Sequence, residues 1–229
     1  MRLLAFDTAA DGCSAGVFSD GRPLALRSSD GGRGHAERLP RLIGDVLEAA
    51  STELDELDAL AVTIGPGSFS GIRTGLAAAR GLALVTGLDT IPVTTLEALA
   101  APLLDHTPPA APVAALLDAR RGELFLQRFT VDGVPREAPR GLTPAAAAAE
   151  LDGAWRLVGN GAALVLPHLD AGRVTLVEGR LDATGVALAA ERDRRRGVAP
   201  VPGFDLHPCY ARDADARPGA GRPLVRLEG

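Results

Sequence analysis

Apolar and polar residues follow two different periods along the chain. Apolar runs of strand length occupy residues 2–7 and 13–19, and Asp20-Gly21 is a typical hairpin turn that leads to a third strand at about 23–28. Over roughly 36–50 the apolar residues recur at helical spacing opposite charged ones, which predicts a one-sided amphipathic helix: Leu39, Leu42, Ile43, Val46, Leu47 and Ala50. The chain therefore begins with three antiparallel strands and a helix.

The stretch from Leu60 to Gly87 combines a strand, a turn and a helix in fewer than thirty residues. Residues 60–64 are almost all apolar, as expected of a strand covered on both faces. A glycine-rich turn ends this strand: Gly65, Pro66, Gly67, Ser68, Phe69, Ser70 and Gly71. A helix is predicted from there to Thr86, with Gly87 as its C-cap.

The composition of that helix is unusual because small residues occupy every fourth position: Gly71, Gly75, Ala79 and Ala83. Apolar residues such as Ile72 and Leu76 lie beside them, and only Arg73, Thr74 and Arg80 are strongly polar. A helix that is apolar nearly all round has to be covered on more than one side. Pattern alone leaves two interpretations open: a core helix of one domain, or a helix whose small-residue groove receives a partner.

The plan of the first hundred residues then recurs. Thr94 and Glu97 form a capping-box pattern that starts a helix ending near Leu104, and the proline-rich segment at 108–112 is where we place a domain boundary. After it, an apolar strand ends at Asp118 as the first strand ends at Asp7. Further strands and helices are predicted at 123–131, 143–151, 155–158, 174–177 and 182–194, and the matching positions lie 110 to 112 residues apart.

This internal repeat predicts the fold class. Two tandem RNase H-like halves, each with a mixed α/β sheet flanked by helices, form the plan of the actin/hexokinase (ASKHA) superfamily. We predict one half over residues 1–107 and the other over 108–229, mostly loop beyond Pro200 and disordered or loosely draped at 213–223.

Composition and charge narrow the function classes. The formal net charge is −5 and aromatic residues make up 3%, which argues against strong, autonomous nucleic-acid binding. Cys13 and Cys209 form no metal-binding cluster, and the absence of a signal sequence or membrane-spanning run leads us to expect a cytoplasmic protein. The four histidines have no paired spacing, so no metal site is predicted.

Three catalytic interpretations can be weighed on the residues. The glycine-rich turn resembles a phosphate loop, but the chain contains no lysine to reach the phosphates, and Ser68 and Ser70 do not fit a nucleophile elbow. Asp7 and Asp118 end matching strands, where a nucleotide-using member of this superfamily holds magnesium or activates water. The simpler interpretation, which we favour, is that each carboxylate caps a tight turn.

The turn and the helix after it resemble a known family signature. Residues 65–75, ending in Ile72-Arg73-Thr74-Gly75, are similar to the GPGSFTGxRxG motif of the bacterial TsaB proteins, with Ser70 where threonine is more common. The likeness covers most of the chain and extends to Phe6-Asp7-Thr8, His35-Ala36-Glu37, Thr94 to Leu99, Asp118 to Glu123 and Pro208 to Arg212.

The resemblance implies a role in tRNA modification. TsaB proteins are non-catalytic partner subunits of the machinery that forms N6-threonylcarbamoyladenosine beside the anticodon of tRNAs that read codons starting with A. By this resemblance the chain binds the catalytic, metal-binding paralogue TsaD through its first two helices, helps to recruit the ATPase TsaE, and meets tRNA only through the complex. The expected contact residues are Leu39, Ile43, Gly71, Ile72, Gly75, Leu76, Ala79 and Ala83.

Several partner and cofactor expectations follow from the same family. The isolated chain could pair with itself through the partner surface, and ATP or ADP could lie at the subunit junction. The main alternative is a small-molecule kinase of the same superfamily, with Asp7 and Asp118 as a possible vestigial nucleotide or magnesium site. A peptidase is a further alternative, for which the sequence offers no nucleophile–base pair or zinc ligands.

Overall fold

The computed structural model describes residues 1–10, 12–31, 34–105, 111–170 and 172–211. Its first half contains β1 (Arg2–Asp7), β2 (Cys13–Ser19), β3 (Arg22–Ser29), α1 (His35–Ala49), β4 (Ala59–Gly65), α2 (Phe69–Thr86), β5 (Thr90–Thr94) and α3 (Thr95–Asp105). Its second half contains β6 (Val113–Arg120), β7 (Glu123–Phe129), β8 (Arg140–Leu142), α4 (Pro144–Ala149), β9 (Trp155–Val158), α5 (Ala162–Val165), β10 (Val174–Val177) and α6 (Ala183–Arg195).

Both halves form a mixed five-stranded sheet of the same topology. The strand orders are β3-β2-β1-β4-β5 and β8-β7-β6-β9-β10, so each strand has a counterpart in the other sheet. In each sheet the first three strands of the half pair antiparallel and the last two add in parallel. The predicted repeat and fold class are therefore confirmed.

The two sheets and six helices stack in five layers. Helices α1 and α2 cover the outer face of the first sheet, where Leu39 and Ile72 pack with Phe6. Helices α6 and α3 lie between the sheets, with α6 against the first sheet and α3 against the second. Helices α4 and α5 cover the remaining face of the second sheet. The helix α6 thus returns from the second half to complete the core of the first.

The observed elements differ from the predicted ones at the start of α2 and at two very short elements. Helix α2 begins at Phe69, two residues earlier than predicted, because the Ser68 hydroxyl accepts a hydrogen bond from the Gly71 amide as its N-cap. The three-residue β8 and the four-residue α5 were not predicted individually. The capping box at Thr94 and Glu97 and the C-cap at Gly87 are confirmed.

Two predictions fall on residues that the structure does not describe. Residues 108–110 of the proposed domain boundary and the segment 213–223 both lie outside the described ranges. The division at 107 and 108 stays a prediction, although the strands of the first sheet all precede it and those of the second all follow it.

Residues 198–211, which we call the C-terminal strap, run from the end of α6 along the first half. Val201 exchanges two backbone hydrogen bonds of 2.8 Å with Thr90, and the short 3-10 helix Gly203–Asp205 then packs against α2. Leu206 is fully buried, and the Cys209 amide donates to the carbonyl of Ile64 at 2.8 Å. The strap is therefore anchored by main-chain bonds and one core side chain.

Candidate functional site

The glycine-rich motif turn connects β4 to α2 and contacts the residues that follow β1. The Ser68 amide donates to the carbonyl of Ala9 at 2.8 Å, and the Thr8 hydroxyl donates to the carbonyl of Gly71 at 2.7 Å. A Cβ atom at Gly67 or Gly71 would overlap the backbone carbonyls of Ala9 or Thr8, so glycine permits this close approach. The turn fixes the start of α2 against the end of β1.

The small-residue face of α2 points into the protein. All the predicted contact residues on this helix are buried: Gly71, Ile72, Gly75, Leu76, Ala79 and Ala83. Leu39 and Ile43 of α1 are buried as well, with exposures of 0% and 7%. These residues pack against their own sheet, so the predicted groove is not open to a partner. Which residues of α1 and α2 a partner contacts stays a prediction, because glycine and alanine suit close packing on a sheet as well as on another chain.

The exposed face of α2 lies on the opposite side of the helix. It carries Phe69, Ser70, Arg73, Ala77, Arg80, Gly81, Leu84 and Val85. Leu84 and Val85 are 87% and 82% exposed, and α2 contains no acidic residue. Ala77 and Gly81 make the middle of this face flat. Arg73 and Arg80 lie beside them, and Leu84 and Val85 form an apolar end.

The exposed face of α1, which packs beside α2, has the opposite charge. It carries Glu37, Asp45 and Glu48 with one cation, Arg41. Gly44 lies among them, and neither Gly44 nor Gly81 has any atom within 4 Å of an added Cβ. Glycine inside an exposed helix costs about 1 kcal/mol relative to alanine, and no contact among the described residues explains either one.

An aromatic and cationic cluster marks the N-terminal end of α2. The rings of Phe69 and Tyr210 stack with centroids 5.9 Å apart, and the Arg73 guanidinium lies 3.7 Å from the centroid of Phe69. Phe69 and Tyr210 are 56% and 52% exposed. The cluster therefore brings together two stretches that resemble the TsaB proteins: residues 65–75, which contain Phe69 and Arg73, and residues 208–212, which contain Tyr210.

A cleft of about 430 Å³ marks the other end of α2. It lies between the last turns of the helix and the strap, and Arg80, Leu84, Leu88, Asp89, Pro202 and Phe204 are among its lining residues. Phe204 is 76% exposed at its edge, and Arg80 donates a hydrogen bond to the carbonyl of Leu206 across the strap. The cleft is mostly apolar, with one cation and one anion.

Asp7 is a buried turn-capping carboxylate. Its Oδ1 accepts hydrogen bonds from the Thr63 hydroxyl at 2.6 Å and from the Ala9 amide at 3.0 Å, and the side chain is 1% exposed. Burial raises the pKa of Asp7 from 3.8 to about 6, with a smaller contribution from the charge of Asp182, while its hydrogen bonds act in the opposite direction.

Asp118 caps the equivalent turn of the second half. Its Oδ1 accepts from the Arg120 amide at 2.7 Å, and its own amide donates to Oδ1 of Asn160 at 2.9 Å. Both carboxylates therefore occupy the turn-capping role favoured on the sequence. The Asp7 carboxylate does not fit a magnesium–nucleotide group in this chain, because it is withdrawn from solvent and its Oδ1 already accepts two hydrogen bonds.

The other candidate chemistry is limited in the part of the chain that is described. There, no cluster of three or more His, Cys, Asp or Glu side chains could hold a metal ion, and no helix is long and apolar enough to cross a membrane. Burial raises the pKa of the Cys13 thiol to about 11, so this cysteine is a poor nucleophile.

Sequence reasoning assigned no role to Thr63 or Phe204, and it marked Tyr210 only as part of the stretch 208–212 that resembles the TsaB proteins. Thr63 is the one hydroxyl in an otherwise apolar strand, which indicates a buried hydrogen-bond partner and could have revealed its bond to Asp7. Nothing in the local pattern places Phe204 or Tyr210 beside α2, because these contacts span more than a hundred residues of sequence.

The fold, the capped turns and the motif turn define a class of protein: a two-halved ASKHA α/β protein whose most distinctive surface is formed by its first two helices. The fold is similar to that of a hexokinase of the ROK family from Thermus thermophilus, with a TM-score of 0.50, 14% identity and coverage of 83% of this chain and 97% of that one. At that identity the likeness shows the fold alone.

Comparison with known families gives the more particular identity. The family model for TsaD, tRNA N6-adenosine threonylcarbamoyltransferase, matches residues 28–147, and the chain belongs to this family. The TsaB protein of Escherichia coli K12, called a tRNA threonylcarbamoyladenosine biosynthesis protein, is 38% identical over 132 residues. That alignment covers 58% of this chain and 56% of the relative, so the chain matches just over half of the length of this curated relative.

A solved structure matches over nearly its whole length. YeaZ from Pseudomonas aeruginosa superimposes with a TM-score of 0.79 at 29% identity, covering 91% of this chain and 99% of that chain. The predicted resemblance to the TsaB proteins is confirmed by these relatives.

Proposed function

We propose that this chain is a non-catalytic subunit of the cytoplasmic complex that forms N6-threonylcarbamoyladenosine in tRNAs that read codons starting with A. In this proposal α1 and α2 bind the catalytic threonylcarbamoyltransferase TsaD, the pair recruits the ATPase TsaE, and tRNA is met only through the complex. The proposal takes its function from the similarity to named tRNA threonylcarbamoyladenosine biosynthesis proteins.

The observation that carries the partner role is the exposed α1–α2 face. Gly44 and Gly81 lie in the interior of their helices and leave this face flat, at a cost in helix stability that no contact in the described part of the chain offsets. The apolar end at Leu84 and Val85 is the kind of exposed patch that marks protein interaction sites. A close-packed helix pair from another protein would use both features.

The charges of the two helices favour a partner of related shape. Acidic residues predominate on the exposed face of α1, and both exposed charges of α2 are arginines. Two such surfaces related by a two-fold axis place α1 of one protein against α2 of the other, with opposite charges facing. The same geometry serves a paralogue of the same fold and, when no paralogue is present, a second copy of the chain.

A kinase of the same superfamily is less well supported. Asp7 lies in the position expected of a magnesium-binding carboxylate, but it is 1% exposed and bonded to Thr63 and Ala9. ATP or ADP at the junction with the partner stays a prediction. Calorimetry with magnesium–ATP on the chain alone and on the complex would separate the two cases, because only a kinase site would bind without the partner.

The test uses Gly81→Trp, which fills the flat centre of the exposed face. Gly81 is exposed and an added Cβ atom there meets nothing within 4 Å, so the variant is expected to fold normally with its side chain in solvent. We expect its affinity for the TsaD protein of the same organism to fall at least 10-fold, which is about 1.4 kcal/mol, measured by titration calorimetry. Formation of modified tRNA in the reconstituted reaction should fall with it.

Ala145→Trp is the matched control, since it places the same side chain on the exposed surface of α4 in the other half. This control should bind as the unmodified chain does. Equal affinity of Gly81→Trp and the unmodified chain would count against the α1–α2 surface. Threonylcarbamoyl transfer by this chain without TsaD would contradict the non-catalytic role.

A further inference from the structure

The apolar side chains left in solvent are concentrated along α2 and the strap. Ten large hydrophobic residues are more than a third exposed in the described part of the chain, and six of them lie here: Phe69, Leu84, Val85, Val198, Phe204 and Tyr210. The other four are scattered over both halves. Scattered apolar residues are normal on a protein surface, whereas a continuous set marks an interaction site.

The strap lies along the opposite flank of α2 from α1. Ala78 and Leu82 lie on one flank of the helix and are half-buried against a core cluster that includes residues of α1. Arg80 and Ala83, on the other flank, meet the strap through Leu206 and Gly203. At 3.6 residues per turn these two flanks lie on opposite sides of the exposed face of α2, and the strap covers one of them.

The strap is held in place before any partner arrives. Its bonds to Thr90 and Ile64, its buried Leu206 and its contact with the side chain of Arg80 fix it at four points along α2. Binding to a surface that is already ordered avoids the entropy cost of ordering a loop. Phe204 and Tyr210 are consequently presented at fixed positions near the two ends of a helix about 27 Å long.

We propose that the strap is part of the partner-binding surface, so that the bound protein contacts α1, α2 and the strap together. The occupant is an apolar helix of the partner protein that carries acidic side chains. Its acids would face Arg73 and Arg80, since α2 has no acidic residue to repel them, and an apolar side chain would enter the 430 Å³ cleft beside Phe204. This inference rests on the proposed function and adds a second element to its binding surface.

Phe204 and Tyr210 are the two anchors of this composite surface. Large aromatic side chains at the edge of a pocket are the residue type that most often dominates binding energy. Tyr210 is stiffened by its stacking on Phe69, and Phe204 by its place in a 3-10 helix between Pro202 and the buried Leu206. Neither side chain is needed to fill the core.

The test is titration calorimetry of the full chain with TsaD from the same organism, using Phe204→Ala and Tyr210→Ala. Leu176→Ala is the control, because Leu176 is 53% exposed on β10 of the other half. We expect each strap variant to bind at least 10-fold more weakly and the control to bind normally, with unchanged melting temperatures for all three.

The outcomes separate this inference from the function on which it rests. If Gly81→Trp abolishes binding while both strap variants bind normally, the strap inference is overturned and the α1–α2 interface stands. If the unmodified chain forms no complex, both are overturned. Weakened binding by the strap variants, together with a weakened Gly81→Trp, supports one surface that includes all three elements.

Discussion

Asp7 is a carboxylate kept out of water at the carboxyl end of β1. Three donors, from Thr63 and the amides of Ala9 and Ala10, favour its ionised form, yet burial outweighs them and leaves the pKa near 6. Its geometry is that of a turn cap, repeated at Asp118 in the other half. A residue type associated with nucleotide chemistry in this superfamily thus does structural work here at a cost in stability.

The pH dependence of unfolding tests this description of Asp7. Because the pKa in the folded state lies above its unfolded value of 3.8, the folded state holds the proton more tightly. Its stabilising contribution is full below about pH 4 and is lost as the pH rises through about 6. A shift of this size corresponds to about 3 kcal/mol.

Asp7→Asn removes the titration while keeping an oxygen acceptor. Urea unfolding at pH 4 and pH 7.5 should show the free energy of unfolding of the native chain falling relative to that of Asp7→Asn by about 2–3 kcal/mol over this interval. The comparison between the two proteins cancels the other carboxylates. A constant difference across the interval would mean that Asp7 does not titrate there.

Helix α2 uses its glycines in two opposite ways. Gly71 lies where a side chain would overlap the Thr8 carbonyl, whereas Gly81 faces open space in the same helix. The first glycine is required by packing within the chain. The second is tolerated by the fold, and no neighbour among the described residues requires it.

Alanine substitution at these two positions should change stability in opposite directions. Gly81→Ala is expected to raise the free energy of unfolding by about 0.5–1 kcal/mol, because it adds helix propensity and meets no neighbour. Gly71→Ala should lower it by about 1–3 kcal/mol or more through overpacking against β1. Denaturant titration of both variants checks the pair, and a loss of stability in Gly81→Ala would show an internal role for that glycine.

The elements that sequence predicted well are those long enough to show a period. Helix α1 and the first strands were predicted to within a few residues, but β8 and α5, of three and four residues, are too short for any periodicity to appear. The repeat shows in the sequence because Asp7 and Asp118 follow similar apolar runs; in the structure Asp7 ends β1, whereas β6 continues two residues past Asp118 to Arg120. Regular spacing of apolar residues was therefore enough to predict most of the helices and strands.

The candidate surface could be predicted only in part. The pattern located α2 correctly, but its two faces are both rich in small residues, so sequence could not tell which one meets the sheet. The strap contacts were inaccessible for a different reason: Phe69 and Tyr210 meet through tertiary packing, and no local rule links them. Such contacts depend on the whole chain being folded.

At the scale of the molecule, the two halves share one interior. Helices α3 and α6 pack against each other between the sheets, and α6 follows the second sheet in sequence but packs on the first. The strap also reaches the second half, since the carbonyl of Ala211 accepts a hydrogen bond from the amide of Gly141 in β8. Neither half buries its core without a segment from the other, so we expect the chain to unfold in one cooperative transition.

Gly185→Val tests this cooperativity at the α3–α6 contact. A Cβ atom at Gly185 would overlap the backbone of Ala98, so valine forces the two helices apart. Trp155, the single tryptophan, reports on the second half from β9, while far-ultraviolet circular dichroism reports on both. In the native chain the two signals should change at the same urea concentration, and in Gly185→Val both should move together to a lower one.

Gly44→Val, the same change in open space on α1, should show a much smaller shift. Two separated transitions in Gly185→Val would instead mean that each half is stable alone, and that the shared helix layer joins two independent domains.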